Sequence, residues 1–259
     1  MKRAFLAAAL LGLGSVLGFP QQTVDVLTTE YEPFCGVHGD TMWCDLVNAA
    51  FAREGVTVRW QSFPQDREKA MVSDGQNVAF LTGTLVIDPA ERQNFVVNPE
   101  PLIYASIVAF YPREKYPQGL ALRSPGDLKG RTVGVVQGTA SVSVLGKAGV
   151  DIDVTTDKDQ LIKKLVAGRE DIAVIADLTG LGAFKAFFPG QIAAYGYELV
   201  YSSPIDLVFS KKNPRSRELL NRYNSGISKI KADGTFMEIL GRYYPSGLIN
   251  RSILPRDMR

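Results

Sequence analysis

Two side chains of opposite charge are of the types that hold a small charged molecule. Arg92 closes the segment Asp88-Pro89-Ala90-Glu91-Arg92, and a guanidinium pairs with a carboxylate through two parallel hydrogen bonds. Asp177 directly follows the apolar run Ile172 to Ala176. It therefore stands at the carboxyl edge of a strand, placed either to cap the next helix or to hold a cation. A third group lies at Gln137-Gly138-Thr139, between the β-branched run Thr132 to Val136 and a helix beginning near Ser141. Such a junction turns backbone N–H groups and the hydroxyls of Thr139 and Ser141 toward an anion, unless those hydroxyls serve only as caps.

The ends and the composition bound what these groups belong to. Lys2 and Arg3 precede an uncharged run from Ala4 to Gly18, with Val16 and Gly18 suited to a cleavage site. Residues 1–18 read as a secretory signal peptide, and the run is short for a membrane span. No cysteine lies near the cleavage point, so no lipid anchor is expected there. Removing Lys2 and Arg3 from 29 basic residues leaves 27 against 27 acidic ones. A neutral mature chain has no electrostatic footprint for nucleic acid or an anionic membrane. About 240 residues exceed one ordinary domain, so two compact units are expected.

Cys35 and Cys44 are the only cysteines, and His38, the only histidine, sits between them. Two thiols and one imidazole lack an obvious fourth metal ligand. In an exported chain a disulfide is the expectation, and no metal or other cofactor is expected.

Periodicity supplies the elements that position these groups. Val24 to Leu27 reads as a strand. Trp43, Leu46, Val47, Ala50 and Phe51 mark one face of a helix that Gly55 stops. Val56 to Trp60 alternates as a strand, Asp66 to Val72 is helical, and Val78 to Leu81 is a further strand. A long apolar strand spans Leu102 to Tyr111. A second β-α series then starts at Thr132, with a helix over Asp159 to Ala167, a strand over Ile172 to Ala176 and a helix over Leu178 to Phe187. Glu198 to Tyr201 and Leu207 to Ser210 read as two return strands. Arg215 to Ala232 and Thr235 to Tyr243 are helical, separated by Asp233-Gly234. Alternating strands and helices imply an α/β class with mostly parallel sheets, in two units with a ligand cleft between them.

Six segments, in order, resemble the periplasmic solute-binding proteins of polar amino-acid ABC uptake systems, the extracellular solute-binding proteins of family 3. They are Tyr31-Glu32-Pro33-Phe34, Asp45-Leu46-Val47, Asp88 to Arg92, Asp127 to Thr139, Gly168 to Ala173 with Asp177, and Lys231 to Phe236. The resemblance implies a two-lobed type-II periplasmic binding fold with two crossover strands. Lobe 1 would combine 19–111 with 203–259, and lobe 2 would be 112–202, closing on ligand by a hinge.

It also implies roles in binding an α-amino acid or a related small carboxylate. Arg92 would clamp the carboxylate, helped by Thr139 and the N–H groups near Ser141. Asp177 would hold the ammonium, Tyr31 and Phe63 would sandwich the ligand, and Thr82 and Thr84 would offer acceptors at a strand end. The receptor would pass its solute to a membrane ABC permease, act as a monomer and catalyse nothing. The alternatives on the same scaffold are an enzyme such as a cyclohexadienyl dehydratase, with Asp177 or Asp206 as its acid, and a ligand-less signalling or assembly subunit. The chain departs from the family pattern in its long link from Thr84 to Arg92, at Ile87, Thr28 and Gln65, and in the Cys35–Cys44 loop.

Overall fold

The computed structural model describes residues 22–37, 41–244 and 249–259. The expected signal peptide and His38 lie outside them. The elements run β1 (Gln22–Thr28), α1 (Met42–Ala52), β2 (Val56–Ser62), α2 (Gln65–Ser73), β3 (Ala79–Gly83), β4 (Phe95–Val96) and β5 (Ile103–Pro112). There follow β6 (Val133–Val136), α3 (Ala140–Lys147), β7 (Ile152–Thr155), α4 (Lys158–Val166), β8 (Ile172–Ala176) and α5 (Asp177–Phe187). The chain ends with β9 (Tyr195–Ser210), α6 (Ser216–Ala232) and α7 (Thr235–Tyr243).

The strands lie in the order β2-β1-β3-β9-β5-β8-β6-β7, with β4 on β9. Parallel pairings join β1 to β2 and β3, and β6 to β7 and β8. Every antiparallel pairing between described strands involves β5 or β9. These two long strands therefore carry the chain between two parallel α/β units, a two-lobed arrangement with two crossover strands.

Each unit has helices on both faces of its sheet, and the sequence shows why. Met42, Leu46, Val47, Ala50 and Phe51 on α1 are buried in one core, at the spacing of a helix with one apolar face. That core also takes Leu219, Tyr223 and Ile230 of α6 and Phe236 and Leu240 of α7. Gly226 allows α6 to lie against the backbone of α1, since an added Cβ would come 2.0 Å from the Ala50 carbonyl oxygen. On the opposite face, Val72 of α2 packs with Leu27, Phe80 and Val208. The second unit has Val133, Val135 and Leu145 on one face and Leu161, Leu165 and Phe184 on the other. Along β5 the side chains change cores at Ile107, which packs against both units, just where a β-bulge interrupts the pairing with β9.

Three features differ from the periodicity reading. The two expected return strands are one, β9, which runs unbroken through Pro204. At Pro204 β3 has already ended, its last partner being Ile205. The strand thus has a neighbour on one side only, where a proline is tolerated. Second, β7 is an edge strand whose Asp153 and Val154 are exposed, so it lacks the apolar pattern that betrays a strand. Third, the residues after α7 are structural. Ile253 and Leu254 enter the first core, the Ser252 hydroxyl lies 3.4 Å from that of Ser106 on β5, and the Arg259 guanidinium sits over the Tyr104 ring at 5.0 Å.

Candidate functional site

In parallel α/β sheets the carboxyl ends of the strands form the binding edge. Thr28, Phe63 and Thr82 lie at or just beyond the carboxyl ends of β1, β2 and β3, and Thr139 and Asp177 follow β6 and β8.

Asp177 is the first residue of α5 and is 9% exposed. Its Oδ1 accepts the Leu178 N–H at 2.7 Å, and the Tyr244 hydroxyl donates to the carboxylate at 3.4–3.5 Å. It has no cationic partner among the described residues. Burial pushes its carboxyl up to about 6, against those two stabilising hydrogen bonds. The Tyr31 hydroxyl lies beside Thr179 and Asp177, and burial raises it above the usual phenol range. Ser141 is buried in the first turn of α3, its hydroxyl 2.9 Å from that of Tyr201 on β9. Burial pushes Tyr201 up to about 12, with Tyr31 adding to the effect. Asp177 beside Tyr31, and Tyr31 and Ser141 beside Tyr201, are thus brought into one chain of polar groups next to the paired strands β5 and β9. Tyr201 and Ala176 both pair with Ile107.

Thr139 precedes α3 but does not cap it. Its hydroxyl donates to the Val136 carbonyl at 2.7 Å, so the hydroxyl retains only acceptor capacity. The Val142 N–H bonds to the Thr139 carbonyl at 3.3 Å, which leaves the Ala140 and Ser141 N–H groups to an outside acceptor. Gly138 turns the chain into that helix at φ 74°, a conformation that favours glycine.

Tyr31 is held by a small aromatic stack. Its ring lies 5.6 Å from Phe34 and 6.2 Å from Trp43, and Phe34 lies 4.6 Å from Trp43. The expected Cys35–Cys44 disulfide is present and ties Phe34's neighbour to α1. The Thr28 hydroxyl donates to the Cys35 sulfur at 2.8 Å. The disulfide separates its cysteines by 9 positions. Closing a loop of that size contributes about 3 kcal/mol through the unfolded chain's entropy. Replacing both cysteines by serine is therefore expected to lower unfolding free energy by about that much, read from urea denaturation. A loss under about 0.5 kcal/mol, within the range of neutral surface changes, would refute a stabilising role.

The first unit's edge carries a second group. Phe63 is half-buried beneath the Arg67 guanidinium, 4.7 Å from its ring. Thr82 is buried and accepts from Gln65 Nε2 at 3.3 Å. Thr84 is also buried. Beside them Glu68 of α2, 1% exposed, accepts from the Thr29 hydroxyl at 3.1 Å. Arg92 opens a single 3-10 turn and is exposed, and its guanidinium has no partner among the described residues. Among the described residues no hydrogen bond, ion pair or ring contact ties Phe63, Thr82, Thr84 or Arg92 to the Asp177 cluster. Sequence reasoning missed Tyr201, Tyr244 and Glu68. Their signal would have been polar groups on inward-facing positions, visible only once the strand and helix faces were known.

No sequence-family model matches the chain. An L-arginine-binding protein of Pseudomonas aeruginosa is 28% identical, over 94% of this chain and 96% of its own. A histidine kinase sensor domain with similarity to periplasmic binding proteins superposes with a TM-score of 0.67 at 16% identity, covering 91% of this chain and 99% of that one. The chain has the periplasmic-binding-protein fold. An ancestral arginine-binding protein bound to arginine shares that fold at a TM-score of 0.64 and 22% identity, covering 86% of this chain and 98% of that one. The resemblance of this chain to amino-acid-binding relatives, stated above from six motifs, holds. Among the described residues no helix is long and apolar enough to cross a membrane.

Proposed function

We propose that this protein is a periplasmic receptor that captures a small polar solute, an amino acid or a related carboxylate, between its lobes and delivers it to an ABC permease. The observation that carries the reading is Asp177, a buried carboxylate at a strand's carboxyl edge, surrounded by hydroxyls and lacking a cation. A ligand ammonium supplies that cation. The α3 N-terminus and Ser141 stand ready for the ligand's carboxylate, Arg92 supplies a bidentate clamp from the other lobe, and Tyr31 and Phe63 form apolar walls. Thr82 and Thr84 line the strand end between them. The name of the Pseudomonas relative supports an amino-acid ligand.

The proposed lobes, 19–111 with 203–259 and 112–202, are divided at the two long strands. The change of core at Ile107, beside the β-bulge, supports a flexing point inside β5. Residues 1–18 act as the export signal, cleaved near Gly18, and the mature receptor works as a monomer. A dehydratase would need a general acid facing the ligand. Asp206 is fully buried and bonded to the Tyr223 hydroxyl at 2.9 Å in the first core, which favours a structural place for it.

The test is ligand-dependent thermal stabilisation. A ligand binding only the native state at 100 times its Kd adds about 2.7 kcal/mol, so a cognate amino acid raises the melting midpoint by several degrees. A panel of the common amino acids, amines and small acids that produces no shift overturns the reading.

A further inference from the structure

One buried acid has no place in the α-amino-acid site described above. Glu68 lies on α2 one turn before Val72, which faces the sheet in the core beneath that helix. An apolar side chain would suit the position, yet a carboxylate fills it at 1% exposure. Its Oε2 accepts the Thr29 hydroxyl, while Oε1 is buried with no hydrogen-bond partner among the described residues. No lysine or arginine among the described residues pairs with it, and the charges on neighbouring residues are engaged elsewhere. Lys69 lies 3.3 Å from both Asp66 and Glu91, Arg67 stacks over Phe63, and Glu30 accepts the Val37 N–H at 3.0 Å. Burying a carboxyl with one oxygen unbonded is costly, so the position is maintained against stability.

Its location suggests what offsets that cost. Thr29 directly follows β1, Phe63 directly follows β2, and Thr82 lies at the end of β3. Glu68 thus sits at the binding edge of the first lobe, as Asp177 does at that of the second. We infer that Glu68 reads a cationic group on the ligand's side chain, giving this receptor preference for basic amino acids. The inference rests on the receptor reading. With Asp177 occupied by the α-ammonium, the second acid takes the second positive charge.

Proton balance follows from the burial. Desolvation pushes the Glu68 carboxyl up to about 8, opposed only by the Thr29 hydroxyl and the Phe63 backbone. In the empty receptor at pH 7 it therefore carries a proton. When the cationic group arrives, the carboxyl gives that proton to solvent and the carboxylate pairs with the ligand. Binding a basic amino acid then releases up to one proton that a neutral analogue leaves in place.

The experiment is titration calorimetry of the full mature protein at pH 7, in two buffers of different ionisation enthalpy. The probes are L-arginine and its near-isosteric neutral analogue L-citrulline. Any proton linked to Asp177 is common to both, so their difference isolates Glu68. Wild type is expected to release close to one additional proton with L-arginine and to bind it more tightly. Glu68→Gln keeps the shape and an acceptor for Thr29. It should remove that proton difference and weaken L-arginine by roughly 30-fold, the effect of losing one member of a buried charge pair, with L-citrulline unchanged. If both ligands bind with equal proton release, or Glu68→Gln binds L-arginine as wild type does, the inference fails and the receptor reading stands. If neither binds wild type, the inference fails, and the receptor reading is decided separately by the thermal-shift panel.

Discussion

Asp177→Ala is expected to weaken amino-acid binding by roughly 100-fold or more, the effect of leaving a ligand ammonium buried without its counter-ion. The empty protein should not suffer. Burial holds the Asp177 carboxyl up near 6, above its value in the unfolded chain. A carboxyl raised by folding contributes stability below its unfolded value, and that contribution is lost as pH rises through about 6. At pH 7.5 the empty protein therefore bears the full desolvation penalty of the ion, and removing the acid relieves it. The same shift sets a pH dependence for binding. An ammonium needs the ionised form, so wild-type affinity is expected to fall toward tenfold per pH unit below about 6. Calorimetry at pH 5 and 7.5, with melting curves of empty wild type and variant, checks both parts. An affinity unchanged by Asp177→Ala would exclude the carboxylate from the site.

Arg92→Ala should reduce affinity for any ligand carrying a carboxylate by about 100-fold, because a two-pronged charge-assisted pair is lost. Arg92 is exposed, and its guanidinium bonds to nothing among the described residues. The variant should therefore melt within a degree of wild type, as surface changes away from specific contacts do. Arg92→Lys should recover little, since an ammonium cannot form the parallel pair of bonds. Agmatine, which is arginine without its carboxylate, separates this role from a general charge effect. It should bind wild type and Arg92→Ala alike. Equal loss for L-arginine and agmatine would make Arg92 a source of structure or long-range field rather than a clamp.

The distance between what the sequence discloses and what folding adds differs from element to element. α1, α7 and β8 were legible because their apolar residues repeat at one period and their ends carry glycine or a polar stop. The disulfide was legible because only two cysteines exist. Asp177 stood out because it breaks a wholly apolar strand, and the structure places it in a buried, hydroxyl-lined position. Tyr201 was not legible, since an aromatic in a strand is ordinarily core material. Its hydroxyl acquires a partner only when β9 brings it to Ser141. Glu68 lies in a polar stretch, Gln65 to Lys69, that reads as a solvated helix face. Only the packing of Val72 shows which side of α2 faces inward. The merging of two short strands into β9 depended on where β3 stops, a tertiary fact that Pro204 obscured.

The first core has a consequence for how the chain is made. It combines Val24 and Val26 near the start with Leu207, Phe209, Phe236, Ile253 and Leu254 near the end. Such a core closes only after pairing residues across most of the chain, and non-local pairing of this kind slows folding. The two cores of the second unit lie within 107–201, so that half can organise while the chain is still growing. Synthesis from the amino terminus thus leaves β1, β2 and α1 waiting for their partners until the last helices and the final turn have emerged. The half that carries Ser141 and Asp177 is complete first, and the half that carries Arg92 and Glu68 is assembled around the strands it sends back.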